Sequence, residues 1–456
     1  MSDVLDRTGL AAGLESAGIQ WRELADEERA ADAVDGVQPS AICSPATYQE
    51  AAQALALADR LGLAVSPRGA GTKVGLGNPP RACDLIVSTE RLSQVVDYAP
   101  ANLTVTAEAG LTLAALQARL AEGDQYLAMD PPNGGQATLG GIIAANASGP
   151  RRFGLGSARD LVIGTHVSTT AGTVTKAGGR VVKNVAGYDL NKLYIGSLGT
   201  LVLVTEITFK VAPRPTAQTT VVGRFAGVDQ LGQAVQAIVR SPLLPTAVDL
   251  LNATAADSLA VGGVPDARGG YLLATLGTAA GRALRRQRDD LWKICQHAGA
   301  TEVADLADGE SERFWSSVAE RPVQAIGANG VRAKIVVPPG RVPDVVRAIE
   351  ERRARFGDRP ELGGRAGSGV LYLSWDLFGA EGVDGQASST ADSLRELRAR
   401  CQALGGSLVV ETCPRSVKNH LDVWGDVGAS LAVMQRLKAA LDPRAVMNPG
   451  RFAGGI

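Results

Sequence analysis

Apolar and polar positions along this chain switch repeatedly between the period of a strand and that of a helix. From Pro39 to Pro67 the order reads strand, helix, strand. A short apolar run leads to a Ser44-Pro45 start with proline at the first helical position, then an Ala/Leu-rich helix through Arg60 and a strand Leu63 to Ser66. Asp84 to Ser88 and Leu103 to Glu108 read as further strands, and the apolar spacing of Thr112 to Ala121 predicts a helix. Leu161 to Thr169 and Thr173 to Lys176 flank a Thr170-Ala171-Gly172 hairpin turn, and the Val- and Thr-containing run Leu201 to Val211 suits a strand. Pro213-Arg214-Pro215 then interrupts the pattern and marks a boundary.

Beyond that boundary strands are separated by single helices. The strands are Thr219 to Phe225, Ala247 to Asn252, Tyr271 to Leu276, Val331 to Val337, Val370 to Trp375 and Ser407 to Glu411. The helices run to Arg240, over an Arg-rich Arg282 to His297, over Val342 to Phe356 and over Ala391 to Leu404. This alternation predicts an α+β layer, one antiparallel sheet with helices on one face. A helix Gly428 to Leu441, followed by Asp442-Pro443 and Asn448-Pro449-Gly450-Arg451, forms a tail placed back against the first domain. The expected layout is an N-terminal helical segment (1–38), a first domain (39–215), an α+β cap (216–411) and a returning C-terminal segment (412–456).

Charge and composition narrow the function classes. Lys plus Arg number 46 against 47 for Asp plus Glu, a net charge of −1, which disfavours electrostatic binding of nucleic acid or anionic lipid. Five scattered cysteines without a CxxC pair point to reduced thiols in a cytoplasmic compartment, and three histidines give poor support to zinc or haem ligation. Met1 to Gly36 is acidic and helix-like rather than a secretory signal, and no apolar stretch approaches the roughly 18–20 residues of a membrane span. Docking on a membrane-bound partner stays open. The 54 glycines are the outlier, about 12% of the chain where roughly 7% is usual.

Those glycines gather in three clusters. The first, Pro67-Arg68-Gly69-Ala70-Gly71-Thr72-Lys73-Val74-Gly75-Leu76-Gly77, follows a strand but fails both nucleotide-loop templates. It lacks the Gly-Lys-Ser/Thr order of a P-loop, and Gly75 falls one residue late for a Rossmann turn, with no helix after it. A strand-to-loop turn remains whose amides can form an anion-binding nest for a pyrophosphate, or simply an ordinary surface turn. The second, Thr138-Leu139-Gly140-Gly141 through Ser148-Gly149, carries so little side-chain bulk that a large flat ligand could lie on its backbone, although tight helix-on-sheet packing explains it as well. In the third, Gly196, Gly199 and Thr200 precede a strand, as close approach or a glycine bulge would require.

In this order, with Val182 to Leu190 and Asn448 to Arg451 added, the motifs resemble the vanillyl-alcohol-oxidase-type (PCMH-type) FAD domain. Within it the resemblance runs most strongly to the FAD-binding subunit of bacterial glycolate oxidases. It spans about Pro39 to Pro215 strongly, the tail moderately and the cap only in texture. The resemblance implies a two-part FAD domain with a substrate-side cap. It places the pyrophosphate on Arg68, Gly69, Ala70, Gly71 and Thr72, with Thr138, Gly140, Gly141, Ser148, Gly149, Gly199, Thr200 and the backbone of Val204 around the rest of the cofactor. Covalent relatives attach flavin through His or Cys, often at the first loop; Arg68 to Gly77 has neither, so FAD is expected to be noncovalent, and Cys83 is expected to be a buried structural thiol. Val410 to Val427 offers only His420 in place of the His-rich stretch of D-2-hydroxy-acid dehydrogenases, so no metal is expected. Leu198 stands where many catalytic relatives carry Glu, as it does in the glycolate oxidase subunit.

Oxidising a 2-hydroxy acid by hydride transfer to flavin N5 needs a hydride acceptor, a base for the hydroxyl proton and a cation for the carboxylate. His420 is the candidate base, and a surface histidine is its bland alternative. Arg332 and Lys334 point the same way on one strand by period two and are the candidate carboxylate ligands, with Arg365 on a Gly-rich loop a further one. Two functions follow: a flavin dehydrogenase of a glycolate oxidase-like complex, or a noncatalytic FAD-carrying subunit beside a paralogous flavin subunit. With no iron–sulfur motif in the chain, the resemblance implies a separate iron–sulfur subunit as electron partner.

Overall fold

In the computed structural model, described here for residues 7–181, 187–259, 262–306, 308–324, 326–327, 329–356, 359–377 and 382–456, the strand Val65–Arg68 delivers the chain to the first glycine cluster. It lies at the edge of a four-stranded sheet, paired parallel to Leu85–Ser88, which pairs parallel to Ala41–Ser44 and through it antiparallel to Gln20–Glu23. The helix Tyr48–Leu61 buries Ala51, Ala54, Leu55 and Ala58 against this sheet. It begins later than the proline suggested: Thr47 is its N-cap, its hydroxyl accepting from the Glu50 amide at 3.1 Å, while Pro45 lies before the helix. A side-chain cap outcompetes proline because it satisfies an otherwise orphaned amide. Residues 182–186 of the motif Val182 to Leu190 lie outside the described residues.

The second part of this domain is a five-stranded antiparallel sheet in the order Val95–Ala99, Thr104–Glu108, Leu203–Lys210, Val162–Ser168, Val174–Gly178. Thr112 caps the helix Leu113–Ala121, whose Leu113, Leu116 and Leu120 fill the core beneath the sheet.

The cap is built on one eight-stranded sheet, antiparallel throughout, in the order Glu302–Leu306, Gln218–Phe225, Tyr271–Thr278, Ala247–Asn252, Glu361–Arg365, Val370–Asp376, Gly330–Val336, Ser407–Thr412. Helices do not cover one face only. Val331, Ala333, Ile335, Leu371 and Leu373 pack against the helices Val228–Arg240, Val342–Glu350 and Gly382–Ala403 on one side. On the other side Val222, Leu251, Leu272 and Ala274 meet Phe314, Trp315 and Val318 of the helix Asp308–Gln324, which the sequence pattern did not reveal. That helix covers only half of its face. The uncovered half carries Arg332, Lys334 and Tyr372 and turns toward the FAD domain.

Arg365 ends the strand Glu361–Arg365 rather than sitting in a loop. Gly363 in this strand leaves room for the Arg321 guanidinium: a Cβ there would stand 2.5 Å from Arg321 Nη2. The helix predicted over Val342 to Phe356 divides into Val342–Glu350 and a 3-10 turn Arg353–Phe356.

The C-terminal segment closes on the first domain. Lys438, on the helix Ser430–Leu441, donates to the Thr200 and Met447 carbonyls and to Asp442, and the Asn448 amide donates to the Val65 carbonyl at 2.8 Å. No helix among the described residues is long and apolar enough to cross a membrane.

Candidate active site

A continuous trench runs along the glycine clusters and ends under the cap sheet. One end is walled by Thr89, Gly140, Leu198, Gly199 and Val202 to Val204, the middle by Arg68 to Val74, Thr138, Gly141 and Ala145. At the far end Thr72, Lys73 and Asn146 to Ser148 of the FAD domain face Arg332, Lys334, Tyr372 and Glu411 of the cap.

The middle of the trench exists because two backbones approach as only glycine allows. A Cβ on Gly69 would collide with Thr138 Oγ1. Thr138 in turn caps the short helix Leu139–Ala144, its hydroxyl accepting from the Gly141 amide at 3.3 Å. The amides of Gly69, Ala70, Gly71, Thr72 and Lys73 find no acceptor among the described residues. Five successive unsatisfied donors are a nest for anionic oxygens, as a pyrophosphate provides. Asn146 adds a second sign of a missing polar ligand: its Oδ1 is buried without a partner, on a backbone held at a φ of 48°. The residues therefore fit a dinucleotide with a polar ring system.

The loop itself is held from behind. Arg68 donates through Nη2 to the Asp32 carbonyl at 2.8 Å and pairs through Nη1 with the Asp32 carboxylate. Lys418 donates to Asp35 and to the Gly75 carbonyl, each at 2.8 Å, and to the Gly77 carbonyl at 3.0 Å. Arg451 donates to the Val74 and Leu76 carbonyls. The N-terminal and C-terminal segments thus clasp the outside of the phosphate loop, leaving its amides free on the inside.

Most sequence-predicted cofactor positions meet in this trench: Arg68, Gly69, Ala70, Gly71, Thr72, Thr138, Gly140, Gly141, Ser148, Gly199 and Val204 all wall it. Two do not. Gly149 lacks a side chain because one would collide with the Asp130 carbonyl. Thr200 is buried, donating to the Ser197 carbonyl at 2.7 Å and accepting Lys438 at its own carbonyl, so it anchors the tail helix.

At the cap end Arg332 and Lys334 do share a face, as the strand period requires. Both pair with Glu411, Arg332 Nε at 3.4 Å and Lys334 Nζ at 3.8 Å. The register between Gly330–Val336 and Ser407–Thr412 slips between Arg332 and Ala333, and Glu411 is the extra residue, so a β-bulge aims its carboxylate at the two cations. Burial opposes the Glu411 charge, but Lys334, Arg332, Lys73 and Arg365 together outweigh it and hold the carboxyl below its usual value. Burial pushes the Lys73 ammonium down, with Glu411 opposing and Arg332 adding to the effect. Lys73, Arg332 and Lys334 outnumber the single carboxylate, which leaves the pocket positive and suited to a small organic anion.

His420 stands elsewhere. It is exposed on the turn after the short helix Arg415–Lys418, its carbonyl accepts from Arg395, and it is absent from the walls of this pocket. Its placement gives no support to a role as base. Lys73, Tyr372 and Glu411 were the residues missed. Tyr372 had a signal: in Val370–Asp376 it shares parity with Ser374 against the apolar Leu371, Leu373 and Trp375.

A glycine-lined trench with free amides, leading to a cationic pocket under an antiparallel sheet, defines a two-domain flavin-dependent oxidoreductase. The chain belongs to the FAD-linked oxidase family: residues 39–178 match its FAD binding domain and residues 214–452 its FAD linked oxidases, C-terminal domain. Its cofactor is FAD, which supplies a two-electron acceptor. It is 28% identical over 425 residues to the glycolate oxidase subunit GlcD of Bacillus subtilis (strain 168), covering 91% of this chain and 89% of that one. It is 43% identical over 163 residues to the glycolate oxidase subunit GlcE of Escherichia coli (strain K12), covering 36% and 45% of the two chains. The fold is shared with the 4-ethylphenol oxidase from Gulosibacter chungangensis at a TM-score of 0.74 and 14% identity, covering 98% of each chain.

Proposed function

We propose that this chain oxidises a small 2-hydroxy acid to the 2-oxo acid with noncovalently bound FAD, as part of a glycolate oxidase-like complex that passes the electrons to a partner, an iron–sulfur subunit by its chemistry. The observation that carries this reading is the pocket where Arg332, Lys334 and Lys73 converge at the end of the cofactor trench. A carboxylate entering there would exchange with Glu411 for Arg332 Nε, whose Nη1 and Nη2 already donate to the Pro322 carbonyl and Thr412 Oγ1, and for the ammonium donors, fixing the hydroxyl-bearing carbon at the end of the trench. The names of the GlcD and GlcE relatives support glycolate as the first substrate to try and a multi-subunit setting. A cytoplasmic location accords with five cysteines that are all buried and unpaired.

Noncovalent attachment is supported by a loop without His or Cys and by Cys83, whose thiol is buried and pushed up to about 11, chiefly by that burial. Acid precipitation should leave yellow flavin in the supernatant; flavin carried down with the protein would refute this.

A second reading, an FAD-carrying subunit without its own catalysis beside a paralogous flavin subunit, draws on two observations. The only histidine of the tail lies outside the pocket, and Glu411 already occupies both Arg332 and Lys334. Anaerobic addition of glycolate and of D-lactate separates the two. Bleaching of the isolated chain's flavin supports the dehydrogenase; bleaching only after partner subunits are added supports the second reading.

A further inference from the structure

With His420 outside the pocket, the proton of the substrate hydroxyl needs another acceptor. Tyr372 is 5% exposed and walls the pocket beside Lys73, Arg332, Lys334 and Glu411. It is the direct cross-strand partner of Lys334, so the two side chains lie on the same face of the sheet as neighbours. Its hydroxyl oxygen accepts a hydrogen bond of 2.6 Å from Arg365 Nη1, and the Arg365 guanidinium carbon stands 4.9 Å from the centre of its ring. Arg365 is almost wholly buried, and its Nη2 donates to the carbonyl of Ser148 in the second glycine cluster. The cation is therefore tied to the cofactor trench on one side and aimed at the phenol oxygen on the other.

We infer that Tyr372 is the base that takes the substrate hydroxyl proton, and that Arg365 positions and charges it for that role. This rests on the 2-hydroxy acid reading above. In the step, the O–H bond of the substrate breaks and its proton joins the Tyr372 phenolate oxygen. The C–H bond of the same carbon breaks with both electrons leaving as hydride to FAD, and the carbon–oxygen bond becomes a carbonyl. Protein and cofactor thus gain one proton and one hydride, and the substrate loses both.

The groups facing the phenol are Arg365 on the neighbouring strand, Lys334 and Arg332 across the sheet, Glu411 beyond them, and Lys73 and Arg152 from the FAD domain. Burial alone would raise the phenol, but Arg365 and Lys334 outweigh it, with Glu411 opposing them, and the hydroxyl is held below its usual value. The cluster shifts the balance toward the ionised, proton-accepting form.

The test compares FAD-loaded wild type with Tyr372→Phe, which keeps the ring and removes the oxygen. The variant should retain flavin and bind substrate within a few-fold, while anaerobic flavin reduction by the 2-hydroxy acid slows by about a hundredfold or more, the range for loss of a general base. The wild-type rate should rise with pH through one ionisation that the variant lacks. A tyrosinate difference spectrum, wild type minus variant, should appear at a pH below the ordinary tyrosine range, and Arg365→Lys should move it upward less than Arg365→Met. Equal reduction rates and pH profiles for wild type and Tyr372→Phe, or no early tyrosinate signal, would overturn the assignment and leave the substrate reading standing. If no 2-hydroxy acid reduces the wild type, alone or with partners, the substrate reading fails and the assignment with it.

Discussion

Lys418 gives the clearest way to perturb the cofactor loop without touching the trench. Its side chain is 1% exposed and its ammonium spends all three protons on Asp35, the Gly75 carbonyl and the Gly77 carbonyl. In Lys418→Met the aliphatic stem is kept and all three bonds are lost, leaving two carbonyls without a donor and the Asp35 carboxylate without its nearest cation. Removing one partner of a buried ion pair costs about 3–5 kcal/mol. The lower end applies here, because Asp35 is 10% exposed and still has Arg451 Nη1 at 3.9 Å. A loss of about 3 kcal/mol corresponds to roughly 6–12 °C in Tm for a domain of this size. Because the two carbonyls belong to the phosphate loop, flavin retained after gel filtration should fall with the melting temperature. The double variant Asp35→Asn/Lys418→Met removes the stranded charge, so its loss should be smaller than the sum of the single losses. Melting within 1 °C of wild type together with full flavin content in Lys418→Met would refute the clasp, as would strict additivity in the cycle.

Gly69→Ala should empty the protein of flavin, because the new methyl group collides with Thr138 Oγ1, and adding Thr138→Gly should restore part of it, read as the ratio of flavin to protein absorbance. Lys334→Gln should raise the substrate concentration needed for half-maximal flavin reduction by about tenfold or more, the worth of one charged hydrogen bond, with little change in flavin content. Burial pushes the Asp249 carboxyl up to about 7, with Arg365 working against it. Its folded value lies above the unfolded one, so its stabilising protonated form is present at low pH and lost as pH rises through about 7. Asp249→Asn should therefore raise Tm at pH 8 more than at pH 5, and an equal change at both would show that the wild-type carboxyl does not titrate there.

The strand period was the most legible feature of the cap. Alternation alone put Arg332 and Lys334 on one face, and that face is the one turned to the trench, because the residues alternating with them, Val331, Ala333 and Ile335, are needed in the core. What stayed hidden had specific physical causes. Gln20–Glu23 is a four-residue strand with no buried position and a single apolar residue, Trp21, packed at the edge of the core, so it shows no alternation. Glu361–Arg365 contains Gly363 and Gly364, poor strand formers: Arg321 passes where a Gly363 side chain would be, and a Cβ on Gly364, whose φ is +148°, would collide with the Val370 carbonyl. The helix Asp308–Gln324 holds Pro322 within its last turn and carries charges along its length, which masked the apolar stripe of Phe314, Trp315 and Val318.

The pocket was harder to read than the cofactor trench for a reason that follows from how each is built. The trench uses backbone, and backbone exposure leaves a trace in sequence as contiguous glycine and small residues at Gly69 to Gly71 and Gly140 to Ser148. The pocket uses side chains from separate strands and one loop, brought together by register: Tyr372 opposite Lys334, and Glu411 pushed forward by a bulge. No local pattern records such a meeting. The one part that sequence chemistry could supply was residue type, and histidine is the residue type whose unperturbed pKa lies near neutrality. A phenol beside a buried guanidinium is drawn below its usual value by a different route, since the charge that lowers it lies on another strand, seven residues away at Arg365. Candidate bases in such pockets are therefore better sought among ionisable residues that share the cationic face of a sheet than among those whose free pKa already suits the reaction.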